Sequence, residues 1–243
     1  MTTPGRTTLG RTTLVVGATG RLGVAIARAL AARGDKLLLT ARDDAKLAAL
    51  SRDLSAAHGS LPPYVRADLR DADAVETIVE GVRRQVTRVD DIVLACGPFP
   101  RTPFASLRRE DLLHTLTVHA IAPLLLVQAL SQDLAKSNGA VVALSDAGVT
   151  RPYTNHAAYL TAKGALQTGL RALAVELAPA VRVNMIALGI VADPEADADP
   201  LRTHRLATRS PLGRFGTPDE VVHVALALLD STWATGEIWG VGR

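Results

Sequence analysis

The chain has 243 residues, 48% of them hydrophobic and 21% charged, which excludes a disordered or collagen-like polymer and fits one globular domain or at most two small ones. A net charge of +3, with no dominant Lys/Arg block, argues against nucleic acid as a partner. One cysteine, Cys96, excludes a disulfide framework and suits a reducing cytoplasm, and the shortage of aromatic residues (3%) leaves the core to Ala, Val and Leu.

Residues 1–12 are rich in Thr, Gly and Arg without an apolar run and read as a flexible tail, so a single domain is expected over 13–243. Short β-rich runs lie at 14–17, 36–40, 64–67, 91–95, 140–144, 181–186 and 237–241. Longer runs with helical spacing lie between them at 21–32, 44–57, 71–86, 107–134, 156–178 and 218–229. This alternation predicts an α/β fold, a seven-stranded parallel sheet with helices on both faces and right-handed crossovers. The longest apolar stretch, 120–127, contains Pro123 and is too short to span a bilayer, so a soluble cytoplasmic protein without a membrane partner is expected. The acidic, Pro-containing segment 192–201 reads as a lid or a surface loop. The histidines show no ligand spacing, and no metal is expected.

The first strand runs into Gly17-Ala18-Thr19-Gly20-Arg21-Leu22-Gly23 and then a helix. Glycines at such a turn let the backbone approach a pyrophosphate, and the helix start offers free N–H groups and the positive end of its dipole. The second strand ends at Arg42, 19 residues beyond Gly23, where an acidic residue would bind the ribose of NAD and an arginine the 2′-phosphate of NADP. Arg42, with Arg21 as a second cation, therefore points to NADP(H) over NAD(H). Asp44 is expected to cap the next helix.

Tyr159 and Lys163 are four residues apart on one helical face. An ammonium beside a phenol favours the phenolate, and moving its pKa from about 10 toward 7 takes about 4 kcal/mol. A tyrosine so tuned serves as a general acid toward a hydride acceptor, or as the base in reverse.

With these landmarks, and with Asp68-Leu69 after the third strand, Arg182-Val183-Asn184 in the sixth and Pro211-Leu212-Gly213-Arg214 before the last helix, the chain resembles the short-chain dehydrogenase/reductase family along nearly its full length. The resemblance implies NAD(P)-dependent hydride transfer and homotetramers or homodimers built on the long helices. It implies Asp68 and Leu69 beside the adenine, Lys163 on the nicotinamide ribose, and Ala95, Cys96, Gly97, Gly189 and Val191 along the cofactor. Several positions depart from the family pattern. The serine expected thirteen positions before the tyrosine is Asp146, the Asn-Asn-Ala-Gly after the fourth strand is Ala95-Cys96-Gly97-Pro98, the relay asparagine is His119, and the Pro-Gly after the sixth strand is Leu188-Gly189. An Asp–Tyr–Lys set is similar to that of pteridine reductases in the family, in which a ring at the position matching Phe99 stacks on the pterin.

An ionised Asp146 would oppose a phenolate on Tyr159. Asp146 therefore reads as protonated and donating to a substrate nitrogen, or as reading an amino-pyrimidine edge, or as merely turned to a backbone amide. His119 reads either as part of a water-linked relay to Lys163 or as a satisfied core histidine. Tyr153 and His156 lie near the site mouth, and Trp233 and Trp239 read as core or subunit interface. The expected activity is NADPH-dependent reduction of a C=N or C=O in a flat heterocycle such as a pterin or dihydrofolate, with catalytic Asp146, Tyr159, Lys163 and His119 and a substrate slot of Phe99, Tyr153, Asp146 and Tyr159. The alternatives are an ordinary carbonyl or 3-oxoacyl reductase and a catalytically impaired NADP-binding regulator.

Overall fold

Runs such as Thr-Thr-Leu-Val-Val and Asp-Ile-Val-Leu contain no Gly or Pro and are buried along their whole length, as strands covered on both faces must be. The computed structural model describes residues 10–192, 200–208 and 210–242. Its strands are β1 (Thr12–Val16), β2 (Lys36–Ala41), β3 (Tyr64–Arg66), β4 (Asp91–Leu94), β5 (Ala140–Asp146), β6 (Arg182–Leu188) and β7 (Ile238–Val241). They form one parallel sheet in the order β3-β2-β1-β4-β5-β6-β7. The order reverses between β1 and β4, so the connections after these strands diverge and leave a crevice at their carboxyl ends.

The helices are α1 (Arg21–Ala32), α2 (Asp44–His58), α3 (Ala74–Gln85), α4 (Arg109–Leu116), α5 (Ala122–Lys136), α6 (Ala157–Glu176), α7 (Pro200–Ala207) and α8 (Pro218–Asp230). Two apolar clusters cover the sheet. One joins it to Ile78 and Val82 of α3, Leu126 and Leu130 of α5 and Leu166 and Leu170 of α6; the other to Ile26 of α1, Leu47 of α2 and Leu228 of α8. The largest fully buried side chains are all Leu or Ile, which matches the aliphatic core read from composition.

Several expectations need correction. Arg11 and Thr12, expected in the tail, are buried, and the first strand begins at Thr12; residues 1–9 lie outside the described ones. The run expected as one helix over 107–134 is helical from 109 to 136 but holds a π turn at Thr117–Ile121, the kind of insertion that re-aims side chains at functional sites. That run is long and apolar enough by length and composition to cross a membrane, yet Val118, Ala120, Leu126, Val127 and Leu134 pack into the sheet, as in a core helix. The capping aspartate of α2 is Asp43, which accepts from the Lys46 N–H at 3.0 Å, and Asp44 begins the helix. Of segment 192–201, residues 193–199 lie outside the described residues, whereas Pro200 and Leu201 open a helix that apolar periodicity did not reveal. Trp233 is 98% exposed and Trp239 is also exposed, so neither belongs to the core.

The amino ends of the central strands are tied by buried charge. Asp91 accepts from Arg11 Nε at 2.6 Å through one oxygen and from the Ala140 N–H at 2.7 Å through the other. Asp90 accepts from the Thr12 N–H at 2.8 Å. At the far edge, buried Asn184 donates to the Ala234 carbonyl and accepts from the Glu237 N–H, pinning the segment that leads into β7. Removing one member of a buried pair strands the other charge. Asp91→Ala is therefore expected to lower unfolding free energy by about 3–5 kcal/mol, read from urea denaturation at neutral pH.

Candidate functional site

The glycine turn is built by close backbone approach. Gly17 has φ +80°, and a Cβ there would lie 2.7 Å from the Ala95 carbonyl oxygen. Its N–H and that of Ala18 both donate to the Thr40 carbonyl, at 2.8 and 3.1 Å. Gly20 caps α1 without a side-chain partner for the first turn, and that turn holds no acidic residue, so nothing negative competes at the helix start. Thr19, Leu22 and Gly23 complete the turn, and Arg21 donates to the Val191 carbonyl at 3.2 Å. Arg42 stands exposed just beyond β2. Asp68, beyond β3, is gripped by Arg70 through both carboxylate oxygens, and that hydrogen bonding is the main reason its pKa lies below the ordinary carboxylate value. Buried Leu69 follows it. At the end of β6, a Cβ on Gly189 would strike the Gly242 carbonyl oxygen at 2.0 Å. The structure thus brings the residues expected along a dinucleotide to the carboxyl edge of β1, β2, β3, β4 and β6.

β5 runs two residues further than its apolar pattern predicted, through Ser145 to Asp146. Asp146 is the acceptor for three donors. Its Oδ1 takes the Gly148 N–H at 2.6 Å, and its Oδ2 takes the hydroxyls of Tyr153 at 2.9 Å and Tyr159 at 3.0 Å. In this arrangement Asp146 accepts rather than donates, and the amide-facing alternative describes only one of its oxygens. A Cβ on Gly148 would lie 2.3 Å from the Tyr153 ring, so glycine is needed for that ring to reach Asp146.

Tyr159, Lys163 and Gln167 follow one another at four-residue intervals along α6 and are all buried. Lys163 does not touch the tyrosine hydroxyl: its Nζ donates to the Leu144 carbonyl at 2.8 Å and lies 5.9 Å from the Tyr159 ring centroid. Burial raises the Tyr159 pKa above the ordinary phenol value, and the nearby Asp146 charge adds to the rise. The same two causes raise that of Tyr153. Both effects act opposite to the lowering expected from the Tyr–Lys spacing. Burial also lowers the Lys163 pKa, against the opposing effects of Cys96 and Asp146. Burial raises that of Cys96, whose Sγ makes a long approach to the Val118 carbonyl.

The π turn points His119 inward. It is 1% exposed, its Nε2 meets the Pro98 carbonyl at 2.9 Å, and its Nδ1 has no hydrogen-bond partner among the described residues. Its ring lies edge-on to Tyr159 at 5.2 Å, and Gly97, with φ +110°, leaves room for it: a Cβ there would sit 2.0 Å from the imidazole. Phe99, 58% exposed, stacks on His156 at 4.4 Å and meets Tyr159 edge-on at 4.9 Å. The loop carrying Phe99 is clamped to the loop before α6 by Thr102 N–H donating to the Asn155 carbonyl at 2.7 Å. Phe99, Tyr153, Tyr159 and both histidines form one ring cluster around Asp146. Sequence reasoning missed Gln167, whose amide donates to Ser145 Oγ at 2.9 Å and backs the end of β5. The four-residue spacing from Lys163 was the available signal.

The chain is similar to known proteins over nearly its full length. A family model described as Enoyl-(Acyl carrier protein) reductase matches residues 17–242. The L-xylulose reductase of Bos taurus is 31% identical over 93% of both chains. A short chain oxidoreductase of Pseudomonas aeruginosa, solved with NADPH and described as containing an atypical catalytic center, superposes with a TM-score of 0.87 at 25% identity over 95% of both chains. A 3-oxoacyl (acyl-carrier-protein) reductase of Agrobacterium tumefaciens with NADP bound gives 0.89 at 26% identity, covering 98% of this chain and 95% of that one.

His119 generates a prediction about pH. Burial first, then the charge on Lys163, lower its pKa from 6.5 to about 3, with the Pro98 carbonyl opposing. On acidification the unfolded chain takes up this proton first. The stability from neutral His119 is therefore complete above pH 6.5 and is lost as the pH falls toward about 3, at about 1.4 kcal/mol per unit. Between pH 6.5 and 4.5 the protein is expected to lose about 2 kcal/mol more than its His119→Gln variant, read from paired urea titrations. Parallel losses in the two proteins would refute this.

Proposed function

Because the chain belongs to the short-chain dehydrogenase/reductase family, we propose that it is an NADPH-dependent reductase of a carbonyl group, with Tyr159 as the proton donor. The observation that carries this reading is Tyr159 itself, a buried phenol held protonated against Asp146 with Lys163 one turn away. The glycine turn fits a dinucleotide: an uncapped helix start free of acidic residues takes the pyrophosphate, and Arg42 with Arg21 takes the 2′-phosphate. Bound there, NADPH supplies the hydride. Lys163 orients the ribose, and Tyr159 Oη delivers a proton to the developing alkoxide, so that C=O, hydride and proton give an alcohol.

A phenol with a raised pKa stays protonated over the physiological range but holds its proton tightly, so Tyr159 gives it up only as the more basic alkoxide develops on the substrate. The named relatives support a carbonyl substrate, such as a keto sugar or an oxoacyl group, over a pterin. Reduction of a pterin C=N is the second reading, favoured by the Phe99 ring beside Tyr159 as a surface for a flat ligand. The reading also includes a small-molecule substrate, a cytoplasmic site of action and a homodimer or homotetramer. The exposed Leu113, Ile121 and Leu125 on the helical run and Val175 on α6 support assembly.

Loss of NADPH absorbance with L-xylulose, diacetyl and dihydrobiopterin decides among these. Turnover of L-xylulose or diacetyl is expected. Dihydrobiopterin turnover alone would replace the carbonyl reading, and NADPH binding without turnover of any of the three would favour a regulator. Tyr159→Phe should lower kcat about 10²–10⁴-fold while NADPH still binds. Arg42→Asp should weaken NADPH binding about tenfold or more and leave NADH little changed, as fluorescence titration would show.

A further inference from the structure

Each turnover on this reading takes a proton from Tyr159 Oη, which must be replaced before the next. The inner polar groups around the tyrosine are occupied by backbone. Among the described residues, the hydrogen bond of Lys163 Nζ goes to the Leu144 carbonyl, and that of His119 Nε2 to the Pro98 carbonyl. Neither reaches Tyr159 Oη, which donates to Asp146 Oδ2. That same oxygen accepts from Tyr153, a half-buried side chain on the segment between β5 and α6, beside the exposed ring of Phe99. The three oxygens form an unbroken line, Tyr153 Oη at 2.9 Å and Tyr159 Oη at 3.0 Å from one carboxylate oxygen, running from the pocket mouth to the buried phenol.

We infer that Tyr153 and Asp146 form the proton-supply line of Tyr159, from the substrate side of the site. As Tyr159 gives its proton to the substrate oxygen, the Tyr153 proton passes to Asp146 Oδ2 and a proton from that oxygen passes to Tyr159. One O–H bond breaks at Tyr153 and one forms at Tyr159. Asp146 ends the step as it began it, a carboxylate, and solvent water at the mouth returns a proton to Tyr153. The transfers, including the one from solvent that re-protonates Tyr153, are concerted, because a full negative charge on either phenol beside the carboxylate is disfavoured. Gly148 fixes the line at its centre: its N–H holds Oδ1 and so leaves Oδ2 for both phenols, and its missing side chain admits the Tyr153 ring.

The inference rests on the carbonyl-reductase reading, and the test separates the two. Tyr153→Phe keeps the ring and removes only the hydroxyl. With diacetyl and NADPH in mixtures of H₂O and D₂O, the unaltered protein should show a bowed dependence of kcat on deuterium fraction, the mark of several protons moving together. Tyr153→Phe should lower kcat about 10²-fold, with KM and the NADPH dissociation constant within about twofold, and its dependence should become linear. A linear dependence in the unaltered protein, an unchanged kcat in Tyr153→Phe, or a lowered kcat with the bow retained would each overturn the relay. In the last case Tyr153 merely positions Asp146. Failure of the unaltered protein to reduce diacetyl or L-xylulose, or full activity in Tyr159→Phe, would overturn the underlying reading instead.

Discussion

The site depends on one carboxylate oxygen. Asp146 Oδ2 takes hydrogen bonds from two tyrosines while its other oxygen is held by the turn that follows β5, so the aspartate has no freedom to face elsewhere. A serine hydroxyl at this position would carry no charge and leave the tyrosine's protonation to burial and to the ammonium. The carboxylate adds its own opposition to a phenolate, in the same direction as burial.

The rings around Asp146 follow from scarcity elsewhere. With a core of Leu, Ile, Val and Ala, the scaffold uses little aromatic area, and three of the rings it has gather at one place with two histidines. Two backbone features make room for them. Gly97 and Gly148 stand where a Cβ would strike His119 and Tyr153, and the π turn at Thr117–Ile121 carries His119 into the interior. At the opposite edge of the sheet, Arg11 and Asp91 fix the amino ends of the strands whose carboxyl ends carry this chemistry.

Much of this was legible in the residues. Strands buried on both faces print as continuous apolar runs, and helices as a 3.6-residue period, so the sheet, its glycine turn and the Tyr159–Lys163 face could be read directly. What escaped has a common cause. The start of the fold at Arg11 depends on an ion pair 80 positions away. The end of β5 at Asp146 depends on register with β6. The π turn shifts a helix by a fraction of a turn, which an apolar period blurs, and α7 is eight residues long with Thr203, His204 and Arg205 at its middle. The state of Tyr159 was misread because sequence spacing measures how near Lys163 lies along a helix but not which acceptor the ammonium chooses.

That last point bears on how the charges balance. Lys163 is buried with its ammonium on a backbone carbonyl, and burial works against its charge; Asp146 lies close enough to work in its favour. The carboxylate thus supports the ammonium across the tyrosine without touching it, while it and burial push the Tyr159 pKa up. The Leu144 carbonyl holds the ammonium at the strand, and Asp146, two residues on, holds the carboxylate to the phenol, so β5 at these two points places both charges that flank a tyrosine on another element.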